Sequence, residues 1–411
     1  MSFQSKWSVV RSQVKSNSFK HNSLALIIGA ALSANAFAGF PTLYGKIHLT
    51  ANQYDLEKIN FSSAAPVTGA TGTTAELDTF ALESTGSRFG VQGDFDATSS
   101  VQVFYRLEYG IDVDNGTNAN NRELTQRNIF GGLRGSWGSI LAGKNDSPLK
   151  TLQTNPVLRT DLDRFNDSPL GDIGTYIVGE NRPDNVIQYT SPILLGGLEV
   201  NIAAIQGEET GIPVKNNAGE ITSKQDDNGF ASGKSASITY GKAKWYVGVG
   251  VDSNIATTDA IRAVGEFTVG PVKIGGIYQK AEAHEEGVDS LGGLTTFVGT
   301  TGGATNPLSE WDGVATNNAF KEQDGFIVNA QWKIAGPWLA KIQYANSSTT
   351  PTNTSFKDVD LEGVIVGLDY NFNPNARVFA SVASVEVEGD AKISTKATTD
   401  TASAIGLDFR F

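Results

Sequence analysis

The sequence predicts an all-β protein, a 16-stranded antiparallel transmembrane β-barrel. Three observations predict it. Segment after segment alternates apolar and polar residues with a period of two, the pattern of a strand with one apolar face. The connections between segments alternate as well, long and polar, then short and turn-like, as in outer-membrane barrels. Beyond residue 38 there is no run of 18 apolar residues. A chain of this kind can reside in a membrane only by closing a sheet on itself.

The first residues belong to a different kind of segment. Lys6, Arg11, Lys15 and Lys20 form a basic lead without an acid, followed by LALIIGAALSANAFA from Leu24 to Ala38. That apolar run is too short for a spanning helix, which needs about 20 residues. Ala36 and Ala38 supply a small-x-small cleavage pattern. Residues 1–38 are therefore expected to be a cleaved signal peptide, and residues 39–411 the barrel domain. Without the leader, 28 Lys and Arg stand against 44 Asp and Glu, a balance of −16. An acidic exported chain is a poor match to nucleic acid, so no nucleic-acid partner is expected. With no Cys, disulfides cannot contribute.

The alternating segments begin near residues 42, 82, 100, 125, 138, 185, 197, 232, 243, 259, 271, 325, 337, 361, 375 and 401. In the first, Lys46 and His48 oppose Ile47 and Leu49; in the second, Arg88 opposes Phe89 and Val91. The turn DATSS leads to the third, VQVFYRLEY, where Val101, Val103, Tyr105, Leu107 and Tyr109 share one face and Arg106 lies on the other. GSWG joins the fourth and fifth, and SPILLGG the sixth and seventh. YGKA leads from the eighth into AKWYVGVGV, with Trp245, Val247, Val249 and Val251 on one face. VGPV joins the tenth and eleventh; AGP joins the twelfth and thirteenth, which carry Phe326, Val328, Ala330, Trp332 and then Trp338, Ala340, Ile342, Tyr344. NPNA follows the fourteenth, whose apolar face ends in Tyr370 and Phe372. The Gly, Pro, Asn and Asp of these links suit tight turns. The chain closes on SAIGLDFRF, with Ile405, Leu407, Phe409 and Phe411 on one face and Asp408 and Arg410 on the other. Aromatics near segment ends match the girdles of membrane barrels.

The remaining connections are long: 54–79, 110–123, 145–184, 207–231, 281–322, 346–358 and 388–399, with 252–258 a short exception. Residues 281–322 hold seven acids and only Lys321, and such focusing predicts a mild preference for cations or simply a solvated acidic surface.

Lumen-facing residues must have the parity opposite to the apolar set. Lys46, Arg88 and Arg106 meet that test. An Arg turned to lipid at midplane would cost about 2–4 kcal/mol. Arg127 is harder to place. The parity that sends it inward carries Ile129 and Leu133 in with it and turns Arg134 out, beside a short turn. Inward placement is preferred on that basis. Phe104 and Tyr246 are inward by the same test but too scattered to form an aromatic slide for sugars.

Catalytic chemistry finds no purchase in the chain. Only His48 and His284 lie beyond the leader, with no triad arrangement, no nucleotide-binding glycine motif and no paired-His metal spacing. No enzyme, catalytic residue, cofactor or metal is expected.

Several segments together resemble the Gram-negative general porins, the trimeric diffusion channels of the outer membrane. They are YGKIHLTANQY directly after the leader, STGSRFGVQGDFD, VFYRLEYGID, RNIFGGLRGSWGSILAGK, NRPDNVIQYTSP and the final GLDFRF, in that order. The resemblance implies a homotrimer, resident in the outer membrane among lipid and lipopolysaccharide, that passes ions and small hydrophilic solutes by passive diffusion. It also implies that the third external loop, residues 145–184, folds inward and narrows the pore. On that reading the acids Asp161, Asp163, Asp167 and Asp172 of the loop face the basic wall residues Lys46, Arg88, Arg106 and Arg127, and a transverse field acts on passing solutes. A channel selective for one anion or sugar is the alternative, and an outer-membrane hydrolase a more remote one. Phe411, with Phe409, is the expected recognition signal for the barrel-insertion machinery.

Overall fold

The computed structural model describes residues 41–60, 73–114, 124–207, 209–215, 221–227, 229–284, 320–351, 358–388 and 398–411. The expected signal peptide lies outside these residues. The first strand is β1 (Thr42–Asn60). Strand β2 runs in two pieces, Thr73–Glu83 and Arg88–Asp96, both paired with β1. Next come β3 (Val101–Ile111), β4 (Leu124–Gly135), β5 (Gly138–Lys144), β6 (Val186–Thr190), β7 (Leu198–Ile205) and β8 (Gly233–Lys242). Then follow β9 (Trp245–Ile255), β10 (Thr258–Val269), β11 (Val272–Ala283) and β12 (Phe320–Lys333). The last four are β13 (Trp338–Pro351), β14 (Val359–Asn373), β15 (Ala376–Glu388) and β16 (Thr398–Arg410).

Each strand pairs antiparallel with the next, and β16 returns to β1 in a register from Lys46↔Arg410 to Asp55↔Thr401. The sheet is thus a closed barrel of sixteen strands. Closure leaves no open edge, the condition for sheet in hydrocarbon. Gly45 and Phe411 finish the seam by exchanging backbone hydrogen bonds of 2.9 and 3.1 Å.

The period-two pattern decides what each face meets. On β9, Val247, Val249 and Val251 are exposed on the outer wall, while Tyr246 and Asp252 are buried inside. Near the short turns, Trp338 stands edge-on to Tyr370 at 4.9 Å, and Tyr370 meets Phe372 at 5.1 Å, part of an aromatic band. The tight links rest on glycine where the backbone must be left-handed, as at Gly270 (φ 58°) and Gly336 (φ 57°).

Some strands reach further than the alternation suggests. β1 and β2 occupy most of the connection expected at 54–79, and a separate hairpin, Glu209–Lys215 with Ile221–Asp227, fills much of 207–231. A membrane strand needs only about 9–11 residues. Past the hydrocarbon its outer face no longer has to be apolar, so the alternation fades while the ladder continues.

A β-bulge settles the parity of β4. The β3–β4 register shifts between Leu107 and Tyr109, so that one extra residue is taken up at Arg127–Asn128. Arg127 faces the lumen before the bulge. After it the parity reverses: Leu133 is exposed outside, and Arg134 turns inward to Asp94 (2.6 Å) and Gln102 (2.9 Å). The expected outward Arg134 and inward Leu133 are thereby corrected.

The apolar core lies inside the barrel and comes from the connection between β5 and β6. Leu149, Leu152, Leu162, Phe165, Ile173, Tyr176 and Ile177 of this loop are all buried. All but Leu149 pack against the inner wall with Tyr246, Val264, Ile277, Ile327 and Ile365, while Leu149 clusters with Val178, Ala260 and Ala281. Burying such side chains contributes about 1.5–3 kcal/mol each. Glycines at inward positions of the wall make room. A Cβ at Gly248 or Gly250 would meet Leu152, at Gly275 Leu162, at Gly325 Ile177, at Gly363 Tyr176 and at Gly367 Phe165. The small residues on the inner face are sockets for the loop.

Candidate pore constriction

Residues 145–184 fold into the barrel as a strap along the inner wall. The strap holds two single-turn helices, α1 (Pro148–Thr151) and α2 (Ile173–Tyr176). Ser147 caps α1 by accepting from Lys150 N, and Asp172 caps α2 by accepting from Gly174 N. Between them Thr154–Asn155 pairs with Thr160–Asp161. Two ion pairs join strap and wall reciprocally. Arg164 of the strap reaches Glu266 of β10 at 2.7 Å, and Arg262 of β10 reaches Glu180 of the strap at 2.7 Å. Amides complete the attachment: Asn329 donates to Leu162 O (2.6 Å), Gln343 to Gly171 O (2.7 Å) and Gln279 to Val178 O (2.7 Å).

The tip of the strap crosses to the closing seam. Lys46 Nζ lies 2.7 Å from Asp167 Oδ2, and Thr85 Oγ1 donates to Asp167 O at 2.7 Å. Asp167 has φ 62°, and it sits against Gly86 (φ 66°), where a Cβ would strike its carboxylate. The interruption of β2 at residues 84–87 is thus the seat of the strap tip.

What remains open is a cavity of about 950 Å³ between strap and wall. Lys46, Arg88, Arg106 and Arg127 line it from β1–β4, and Asp161, Asp163, Asp167 and Asp172 line it from the strap. All eight residues singled out from the sequence therefore border one space. Their environments differ. Glu108 organises the wall side: it accepts from Arg127 Nε (2.8 Å) and Tyr44 OH (3.0 Å) and lies 3.8 Å from Arg88 Nε. Arg106 donates to Gln92 (3.1 Å) and lies over the rings of Tyr44 and Phe130 at 5.9 and 5.8 Å.

On the strap side, burial pushes Asp167 toward the neutral form, but Lys46, His48 and Arg88 outweigh it and hold the carboxyl at about 2. Asp172 is raised to about 6, by burial first and by the Asp167 charge second. Asp163 is raised well above the usual carboxylate range, by burial and then by its neighbours Asp172 and Asp161.

Other residues at the site were not legible as such. Arg182 bonds Asp146 at 2.9 Å, and Lys150 reaches the same carboxylate at 3.3 Å. Nothing in a polar loop announces which of its charges will meet. Arg410 also lines the cavity, and its parity was readable. The register adds that Arg410, Lys46 and Arg88 stand directly abreast on β16, β1 and β2. Like charges abreast are unfavourable; Asp167, Asp408 and Glu108 offset them. His48 is not part of the lining of this cavity: it is buried and stacked on Phe379 at 5.3 Å. Tyr246 is buried with its hydroxyl on Leu152 O (2.9 Å), so it presents no aromatic surface to a solute.

A closed barrel whose lumen is narrowed by its own third long connection, with opposite charges on the two sides of the gap, is a pore-forming outer-membrane barrel. The chain belongs to the Gram-negative porin family, whose model matches residues 23–390. It is a channel of the outer membrane for the passive diffusion of solutes. No curated protein matches it. Among solved structures it is similar to the anion-selective porin from Comamonas acidovorans (TM-score 0.58, 16% identity, 90% of this chain and 99% of that one). It is similar also to Salmonella typhi OmpF in complex with daunomycin (0.58, 16%, 90% and 97%). The trimer form of Vibrio cholerae OmpT aligns over 92% of this chain and 100% of that one (0.55, 16%).

Proposed function

We propose that this porin passes ions and small hydrophilic solutes through a constriction that acts by a transverse electric field, with no catalytic step. The basic side is Lys46, Arg88, Arg106 and Arg127; the acidic side is Asp161, Asp163, Asp167 and Asp172. The observation that carries the reading is that all eight line the same 950 Å³ space from opposite elements. Charges fixed across a narrow gap orient water and disfavour apolar solutes. Replacing Arg88 and Arg106 by Gln tests it in planar bilayers under a KCl gradient. The reversal potential is expected to move toward cations; an unchanged potential would remove the wall from the selectivity mechanism.

We propose also that the chain is exported by a cleaved leader over residues 1–38 and works as a homotrimer among outer-membrane lipid and lipopolysaccharide. The trimer form of the similar Vibrio cholerae protein supports the assembly. Phe409 and Phe411, on the outer face of the strand that closes the barrel, are proposed as the feature read by the insertion machinery; their place at the seam supports this.

A further inference from the structure

Two neighbouring short turns, on the rim away from the long connections, have an unusual makeup. The β6–β7 turn, residues 191–197, holds Ile193, Leu194 and Leu195 in the open, Leu195 at 82% exposure. Leu195 is also left-handed (φ 49°), a conformation that suits the adjacent Gly196 (φ 70°) and is costly for a bulky side chain. No packing inside the fold offsets that strain, because so little of Leu195 is covered. The DATSS and NPNA turns, residues 96–100 and 373–376, carry no large apolar side chain.

The β8–β9 turn beside it is basic. Lys242 and Lys244 are both exposed, on a chain that is acidic as a whole. Among the described residues neither lies in an ion pair within 4.0 Å. Backbone and side chain join the two turns: Gly241 N donates to Gly197 O at 3.1 Å, and Tyr240 OH to Leu195 O at 3.4 Å. The Lys242 ammonium stands 5.7 Å from the centre of the Tyr240 ring, which stacks on Trp245 at 5.3 Å. From there the outer wall continues apolar through Ile202, Ile238, Val247 and Val249, all exposed.

Basic tip, aromatic pair and aliphatic wall thus follow one another toward the middle of the barrel. That order matches a negative headgroup, its glycerol level and its acyl chains. A soluble anion would satisfy the lysines and leave the leucines in water. Short turns face the periplasm, so the leaflet at this rim is the glycerophospholipid one.

We propose that the paired turns at 191–197 and 242–244 form a site for an anionic glycerophospholipid of the periplasmic leaflet. Its phosphate lies between the ammonium groups of Lys242 and Lys244, and Leu194 and Leu195 enter the boundary beside its acyl chains. Apolar area removed from water then offsets the strain at Leu195. The proposal rests on residence among outer-membrane lipid and narrows that partner to one class at one place, outside the pore.

The test is native mass spectrometry of the folded protein in neutral detergent, with phosphatidylglycerol as probe and phosphatidylethanolamine of the same acyl chains as control. Phosphatidylglycerol is expected to be retained in preference, and Lys242→Gln with Lys244→Gln to lower its affinity about tenfold or more. Lys280→Gln with Lys321→Gln removes the same charge from exposed positions near the long loops and is expected to leave the preference intact. Leu195→Gly relieves the left-handed strain, so the thermal midpoint without lipid should hold or rise while phosphatidylglycerol affinity falls severalfold. Equal retention of the two lipids by the wild type would overturn the site and leave this rim to a soluble partner. Affinity unchanged in the Lys242/Lys244 variant or in Leu195→Gly would overturn it too, as would an equal loss in the Lys280/Lys321 control. A wild type that conducts KCl without any lipid preference overturns this site alone, whereas absence of KCl current would overturn the channel reading. Heat-modifiable migration of each variant verifies a folded barrel beforehand.

Discussion

Lys46 of β1 and Asp167 of the strap tip form a 2.7 Å ion pair that carries the inward loop across the pore to the strand at which the barrel closes. Both side chains are largely shielded, with 6% and 18% exposure, so the pair is screened far less than a surface bridge. Together with Thr85 and Gly86 it fixes one edge of the aperture.

Breaking that pair from one side should loosen the tip. Lys46→Met leaves Asp167 without its closest cation and is expected to cost on the order of 3 kcal/mol. Thermal unfolding in detergent should fall in midpoint, and open-channel noise should rise. A variant as quiet and as stable as the wild type would show that the strap is held by its apolar face alone.

Acidification should move selectivity toward anions. Asp172, raised to about 6, takes up a proton as the pH falls from 7 to 5, and Asp163 is raised as well. The strap then loses negative charge while the guanidinium groups opposite keep theirs. The reversal potential in a KCl gradient, measured at pH 7.5 and pH 5, reads the change; Asp163→Asn with Asp172→Asn together should abolish it.

The same groups give opposed stability windows. A carboxyl raised in the folded state favours folding below its unfolded value and loses that contribution as the pH rises through the folded one, so Asp172 holds the strap less well above about pH 6. Asp167 is depressed to about 2: its contribution is present above the unfolded value near 4 and is lost as the pH falls toward 2. Strap order, followed by fluorescence of a probe placed on the tip, should be greatest near pH 4 and decline on both sides, toward pH 6 and toward pH 2.

Filling a glycine socket should displace the strap. A side chain at Gly363 would occupy the place of the Tyr176 hydroxyl, which donates to Leu170 O at 2.7 Å. Gly363→Leu is expected to cost about 1–3 kcal/mol by overpacking and to push the strap into the aperture, lowering KCl conductance. Tyr176→Ala should act in reverse, leaving a hole and a looser strap with higher conductance.

At the seam, Gly45 lies under the Phe411 ring, and a Cβ there would stand 2.9 Å from Arg88 O. Gly45→Val should therefore impair closure, seen as a reduced fraction of the heat-modifiable folded form in refolding. Full recovery of that form would show that the seam tolerates a bulkier residue.

The sequence by itself determined the barrel and which face of most strands meets lipid. Alternation such as Val247, Val249 and Val251 against Tyr246 is imposed locally by the pleat, so it is written residue by residue. It also determined that Lys46, Arg88 and Arg106 face inward, since the other face is apolar on each strand. The tertiary structure alone decided the rest. The bulge at Arg127–Asn128, which sends both Arg127 and Arg134 into the lumen, depends on the register with β3 and leaves no mark in the spacing of β4. The seat of Asp167 on Lys46, the reciprocal pairs Arg164–Glu266 and Arg262–Glu180, and the unpartnered oxygen of Asp163 join residues far apart in the chain. Such contacts follow from how an irregular strap packs its apolar side chains into glycine sockets across the barrel, and that fit is a property of the closed wall and not of any one segment.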